Sequence, residues 1–218
     1  MFPFASGLLT PSAINVRRIG TLTAGDGSVP SAALASIGAR AGDLAIGFGS
    51  FYLAGHSAAG GWTSLTPVSS GGRSAISSKL LAAGDIGSGV TFARGGTVAV
   101  YRGVNSLSLA KTIGTSGARN SMTTTGIARG PSHAGLLLAT VSVGANFAEV
   151  SPATPGGFDR WGGRTFYNGA AIPSVATQLL AFDRLQPDAP LYDGQGFSFG
   201  WDTAGGSYDA YIIELLRI

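Results

Sequence analysis

The chain has few side chains able to do chemistry: two histidines, eleven carboxylates, fourteen lysines and arginines and no cysteine among 218 residues. Without cysteine there is no disulfide framework, no thiolate metal site and no thiolate nucleophile. His56 and His133 stand apart in Gly/Ser-rich stretches, outside any spacing such as H-E-x-x-H, and read as exposed loop residues. A glycoside hydrolase would need two carboxylates converging on one bond with their pKa values pushed apart. Asp159 and Asp202, each close to a tryptophan, form the best such pair. Aspartates in Gly-rich turns, however, ordinarily close the turn through their own backbone. Asp183, Asp188 and Asp193 recur every five residues but lack the alternating ligands of a calcium loop. Gly71-Gly72-Arg73-Ser74 lacks the lysine of a phosphate-binding loop. The expectation is a protein that is not an enzyme, with no catalytic residue, metal or cofactor.

Aromatic side chains carry more signal for binding. Trp62, Trp161 and Trp201 lie at strand ends or beside Gly turns, and Trp161 is followed by Gly162-Gly163-Arg164-Thr165-Phe166-Tyr167. An exposed aromatic near an arginine can stack a sugar ring and hydrogen-bond its hydroxyls. Trp161, Arg164 and Tyr167 are therefore the candidate contacts to a glycan or partner. Trp62 and Trp201 read as core or edge-covering residues, and Tyr101 and Tyr211, which alternate with apolar neighbours, read as core. Near the start, Phe2, Phe4, Leu8 and Leu9 are interspersed with Pro3 and Pro11, on a backbone that joins neither helix nor central strand easily. These four residues are candidates for an assembly arm laid on a neighbouring subunit, or for an arm folded back on its own domain.

The elements that must position these residues are strands. Alternating or short apolar runs fall at 15–22, 43–52, 74–81, 97–101, 135–143, 174–182, 197–201 and 208–216, with a weaker run at 121–125. Between them lie Gly-rich turns such as Gly60-Gly61, Gly95-Gly96 and Gly205-Gly206. Ser31–Ile37, between Pro30 and Gly38, is long enough for one turn of helix at most. Four blocks also recur in the same order. Gly42–Gly47 resembles Ala134–Ala139, Trp62 resembles Trp161 in its Gly-Gly setting, Ala75–Leu81 resembles Ser174–Leu180, and Val90–Phe92 with Val98–Tyr101 resembles Phe197–Phe199 with Ala210–Ile213. Two half-sheets with one apolar face each would bury those faces together. The predicted fold is all-β: one antiparallel, jelly-roll-like β-sandwich built from two pseudo-repeated halves. Residues 1–40 would form an arm and first strand and 41–218 the sandwich, with halves at 41–104 and 133–218 and a crossover at 105–132.

Composition bounds the partners. Glycine is 35 of 218 residues, about 16% against an average near 7%, while charged residues are 11% against about 25%. The formal charge is +3, but only Arg17 and Arg18 are adjacent, so there is no clustered basic face for nucleic acid. Apolar runs break too often for a membrane span, and the first residues lack the basic region of a secretory signal. A surface so poor in charge is suited to burial against neighbours, most simply copies of the same chain.

The blocks also resemble a pattern of bacteriophage and phage-like (gene-transfer-agent-like) virion proteins. It runs from Gly42-Asp43-Leu44 through Gly61-Trp62-Thr63-Ser64-Leu65, then Lys79 and Ala83-Gly84-Asp85, to Val98-Ala99-Val100-Tyr101-Arg102-Gly103-Val104. A weaker second copy begins at Ala134-Gly135-Leu136-Leu137, and the resemblance extends from Gly42 to Leu216. It implies a jelly-roll or β-sandwich module of a tail fibre, tail tip, head spike or capsid decoration. Such a subunit would assemble in the bacterial cytoplasm, contact copies of itself and other virion proteins, and contribute to host attachment. Two other readings remain open: a lectin-like module for host surface polysaccharide, and a polysaccharide depolymerase.

Overall fold

The computed structural model describes residues 16–24, 30–50, 61–65, 74–92, 96–115, 121–124, 132–145, 158–161, 164–166, 175–185, 197–200 and 207–217. The chain folds as an antiparallel β-sandwich. Its first sheet comprises β1 (Arg17–Ala24), β2 (Leu44–Ser50), β3 (Thr63–Ser64), β4 (Ser74–Leu80) and β5 (Gly96–Arg102), in the order β1-β5-β2-β4-β3. The second half supplies β6 (Ser106–Thr115), β7 (Ser121–Thr124), β8 (His133–Ala145), β9 (Asp159–Trp161), β10 (Arg164–Phe166), β11 (Val175–Leu185), β12 (Phe197–Gly200) and β13 (Ser207–Leu216). Its main sheet runs β6-β13-β8-β11-β10, with β9 also paired to β11, while β7 and β12 form a separate ribbon.

The two main sheets trace one path. Replacing β1, β5, β2, β4 and β3 by β6, β13, β8, β11 and β10 turns the first order into the second. The sandwich is thus wound half by half, each half keeping to its own sheet. The segment 105–132, expected as an edge strand and crossover, contributes the ten-residue β6, which occupies the position β1 has in the first sheet. One of the aligned blocks is a residue out of step. Leu44, Ile46 and Phe48 face the opposing sheet, whereas in β8 it is Leu137 and Ala139 that do so, so Leu137 and not Leu136 corresponds to Leu44. A one-residue slip exchanges the faces of a strand.

Between the sheets lies a core of Leu44, Ile46, Phe48, Ile76, Ala99 and Tyr101 from one side against Leu137, Ala139, Ala181, Tyr211, Ile213 and Leu215 from the other. Tyr101 and Tyr211 are buried there, as their alternation predicts. The first sheet is covered on its outer face as well. Ala45, Val98 and Val100 pack beneath Leu34, Val90 and Phe92. A single 3₁₀ turn at Leu34–Ile37 ends at Gly38, whose φ of 77° is the left-handed conformation glycine adopts freely. Backbone hydrogen bonds from Ser31 to Val90 O (2.9 Å) and from Leu34 to Ser88 O (3.0 Å) fasten this turn to the segment 86–92. Contact is so close at Gly89 that a Cβ would stand 2.0 Å from Ser31 O, which demands glycine. No helix among the described residues is long and apolar enough to cross a membrane.

Candidate functional site

A buried polar cluster lies between the sheets. In β1 the pairing with β5 slips between Arg18 and Gly20, so that Arg18 sits opposite Tyr101. Opposed residues share a face, so this bulge turns Arg18 into the inter-sheet space. There its guanidinium donates to Asp183 Oδ2 on β11, which also accepts the Tyr101 hydroxyl at 3.1 Å. Asp183 is 2% exposed and Tyr101 fully buried. Burial pushes the Asp183 carboxyl above its ordinary value, against the lowering effect of Arg18, while burial and the nearby Asp183 charge push the Tyr101 phenol well above its own. Tyr101 therefore serves as a hydrogen-bond donor. The arrangement joins β1 and β5 of one sheet to β11 of the other through a single carboxylate.

Trp161 belongs to this cluster, which corrects its expected role. It is 8% exposed, edge-on to Phe48 with ring centroids 5.7 Å apart, and the Arg18 guanidinium lies 5.5 Å above it. With one face covered by an arginine and its edge in the core, the indole has no free face for a sugar. Arg164 lies in β10 at the edge of the second sheet, in register with Gln178. Tyr167 and the proposed arm residues Phe2, Phe4, Leu8 and Leu9 lie outside the described residues. His133 is likewise not an exposed loop residue. It opens β8, is buried, and its Nδ1 is 2.8 Å from Glu214 Oε1 on β13. Asp159 is exposed on β9, where it pairs in register with Asp183; His56, Asp188, Asp193 and Asp202 lie outside the described residues. Among the described residues no group of three His, Asp or Glu side chains is placed to hold a metal ion.

Charged residues of the sequence pattern pair with each other. Asp43 of the Gly-Asp-Leu stretch receives Arg102 of Tyr-Arg-Gly-Val in a two-pronged contact, Nε to Oδ1 at 2.9 Å and Nη2 to Oδ2 at 2.7 Å. Asp43 Oδ2 also accepts the Arg40 backbone N–H at 2.8 Å, and Arg102 reaches Gly38 O at 3.0 Å. This joins the entry of β2 to the end of β5. Similarly, Lys79 on β4 meets Asp85 of Ala-Gly-Asp at 2.7 Å, and Asp85 Oδ2 accepts the Ala82 N–H at 2.8 Å. The Lys79 hydrogen bond, then that of Ala82, holds the Asp85 carboxyl below its ordinary value.

Lys79 and Asp85 also stand in the wall of a cleft on the outer side of the first sheet, about 240 Å³ in volume. Leu34, Leu81 and Val90 line it as buried apolar side chains, and half-buried Trp62 lines it while packing on Phe92 at 6.4 Å between ring centroids. Ser88 and Thr91 are exposed at its rim. The sequence predicts Trp62 in or over the core and carries no direct sign of the cleft. Its one sequence signal is the set Gly61-Trp62, Lys79 and Asp85 within the motif pattern.

Comparison with protein-family models, with curated proteins and with solved structures finds no match in any of the three.

Proposed function

We propose that this chain is a structural subunit of a phage or phage-like virion, in a tail fibre, tail tip or head spike or decoration, and that it contributes to host attachment. The observation that carries the reading is the pairing of Asp43 with Arg102 and of Lys79 with Asp85. The residues on which the resemblance rests pair with one another, Asp43 and Arg102 joining β2 to β5 and Lys79 and Asp85 holding the turn at Ala83–Asp85 against β4, as a pattern selected for a scaffold would require. Arg18 and Asp183, whose carboxylate is buried, join the two sheets. A rigid sandwich of this kind carries recognition on its loops and assembly contacts on its edges. Copies of the chain and other virion proteins are the partners this implies, and the scarcity of charge, 11% of residues, suits a surface buried by them. Density-gradient fractionation of particles released by the producing bacterium tests the reading. The chain is expected to co-migrate with the particle fraction at constant ratio to the other particle proteins; recovery only as free protein would overturn it.

A further inference from the structure

We infer that the outer cleft beside Trp62 binds a neutral hexose ring. This gives the attachment role proposed above a site and a ligand class, and rests on that reading for its biological use alone. The cleft holds about 240 Å³, below the roughly 300–1,000 Å³ of sites for drug-sized ligands, which leaves room for one small ring. Its composition is that of a sugar site. Trp62 and the floor of Leu34, Leu81 and Val90 offer apolar surface to the C–H face of a pyranose. Lys79 and Asp85, about one-quarter exposed, and the rim hydroxyls of Ser88 and Thr91 offer donors and acceptors to its hydroxyl groups.

The charges decide which sugar. Lys79 and Asp85 neutralise each other at 2.7 Å inside the wall, so among the described lining residues there is no unpaired charge with which to hold a uronate or a phosphate. A neutral ring displaces no ion pair, whereas an anionic one would have to compete with Asp85 for Lys79. The pair is itself positioned. Asp85 is held by the Ala82 N–H, and at Gly61, where φ is +79°, a Cβ would lie 3.3 Å from Lys79 Nζ. The lysine is thereby hemmed in by the turn that also presents Trp62.

Calorimetric or ligand-observed NMR titration of the full chain with glucose, galactose, mannose and glucuronate tests this directly. Saturable binding of at least one neutral hexose, tighter than glucuronate, is expected. Trp62→Ala should weaken it about tenfold, the equivalent of about 1.4 kcal/mol. If Trp62→Ala fails to fold, Gly84→Trp decides in its place: Gly84 lines the cleft, a Cβ there meets nothing within 4 Å, and the added indole should obstruct the ring. No saturable binding to any neutral hexose, tighter binding of glucuronate, or binding unchanged by the deciding variant would overturn the assignment. An oligosaccharide ending in the preferred hexose then distinguishes the two sources: equal or tighter binding identifies a chain terminus, and loss of binding identifies the free sugar. Loss of sugar binding by a variant that still enters particles breaks the site and leaves the assembly reading intact; exclusion of the wild type from particles does the reverse.

Discussion

The two halves of the sandwich follow one strand path but fasten it with opposite polarity. In the first, an acid at the entry to β2, Asp43, meets a base at the end of β5, Arg102. In the second, a base at the start of β8, His133, meets an acid near the end of β13, Glu214. The same two strand ends are tied each time, with the carboxylate and its nitrogen partner exchanged. Topology therefore asks for a link at this corner and is indifferent to which strand carries the carboxylate. The halves also differ in where their carboxylates look. Asp43 and Asp85 pair with arginine and lysine of their own half, whereas Asp183 leaves the second sheet and reaches across the core to Arg18 and Tyr101.

Removing that crossing group should have the largest effect. Asp183→Ala leaves the Tyr101 hydroxyl buried without its acceptor and Arg18 without its counter-ion, and should cost about 3 kcal/mol in denaturant unfolding, the low end for a broken buried pair because Arg18 can reach water. A loss below about 1 kcal/mol would place the link between the halves elsewhere. Asp43→Ala, which removes a buried carboxylate with a two-pronged arginine contact and a backbone acceptor, should cost about 2 kcal/mol, less than Asp183→Ala because Asp43 lies at the end of one sheet and not between two. The exchanged pair can be imposed: Asp43→His with Arg102→Glu copies the second half's pair into the first. The double variant should be about 1 kcal/mol more stable than the sum of the single losses, as measured by a double-mutant cycle. Simple additivity would mean that the two corners are not equivalent. Lys79→Met, breaking an ion pair about one-quarter exposed, should cost less than about 1 kcal/mol in the same assay.

Acid titration should separate the halves by sign. Burial raises the Asp183 pKa above its ordinary 3.8, so folding disfavours the ionised carboxylate relative to the unfolded chain. Its contribution is full below that value and falls as pH rises through the folded pKa. Asp85 has its pKa lowered by Lys79, so its contribution is present above 3.8 and is lost as pH falls through the folded pKa. Unfolding free energies of wild type against Asp183→Asn and Asp85→Asn, measured across the acid range, should diverge in opposite directions. Parallel curves would contradict the contrast.

Local pattern foretold the strands better than their partners. β2, β4, β5, β8, β11 and β13 lie within a few residues of their apolar runs, because alternation is a property of each segment alone. β6 was obscured because its 106–115 stretch is rich in Ser and Thr and owes its place to pairing with β13. Arg18 was beyond local pattern for a different reason. Strict alternation puts it on the face of Gly20 and Leu22, and only the bulge against β5 turns it inward. Trp161 misled because Gly-rich, polar flanks say nothing about an arginine from another sheet lying over the ring. Of the outer cleft, the charged residues were visible in the motif, but their meeting depends on the 3₁₀ turn at Ala83–Asp85 folding back on β4.

If the chain is a scaffold built to be assembled, its association state is the central test. Light scattering on the purified protein across a wide concentration range should give a closed oligomer of fixed mass, as edges hidden between copies require. A monomer that persists at the highest concentration would contradict the account.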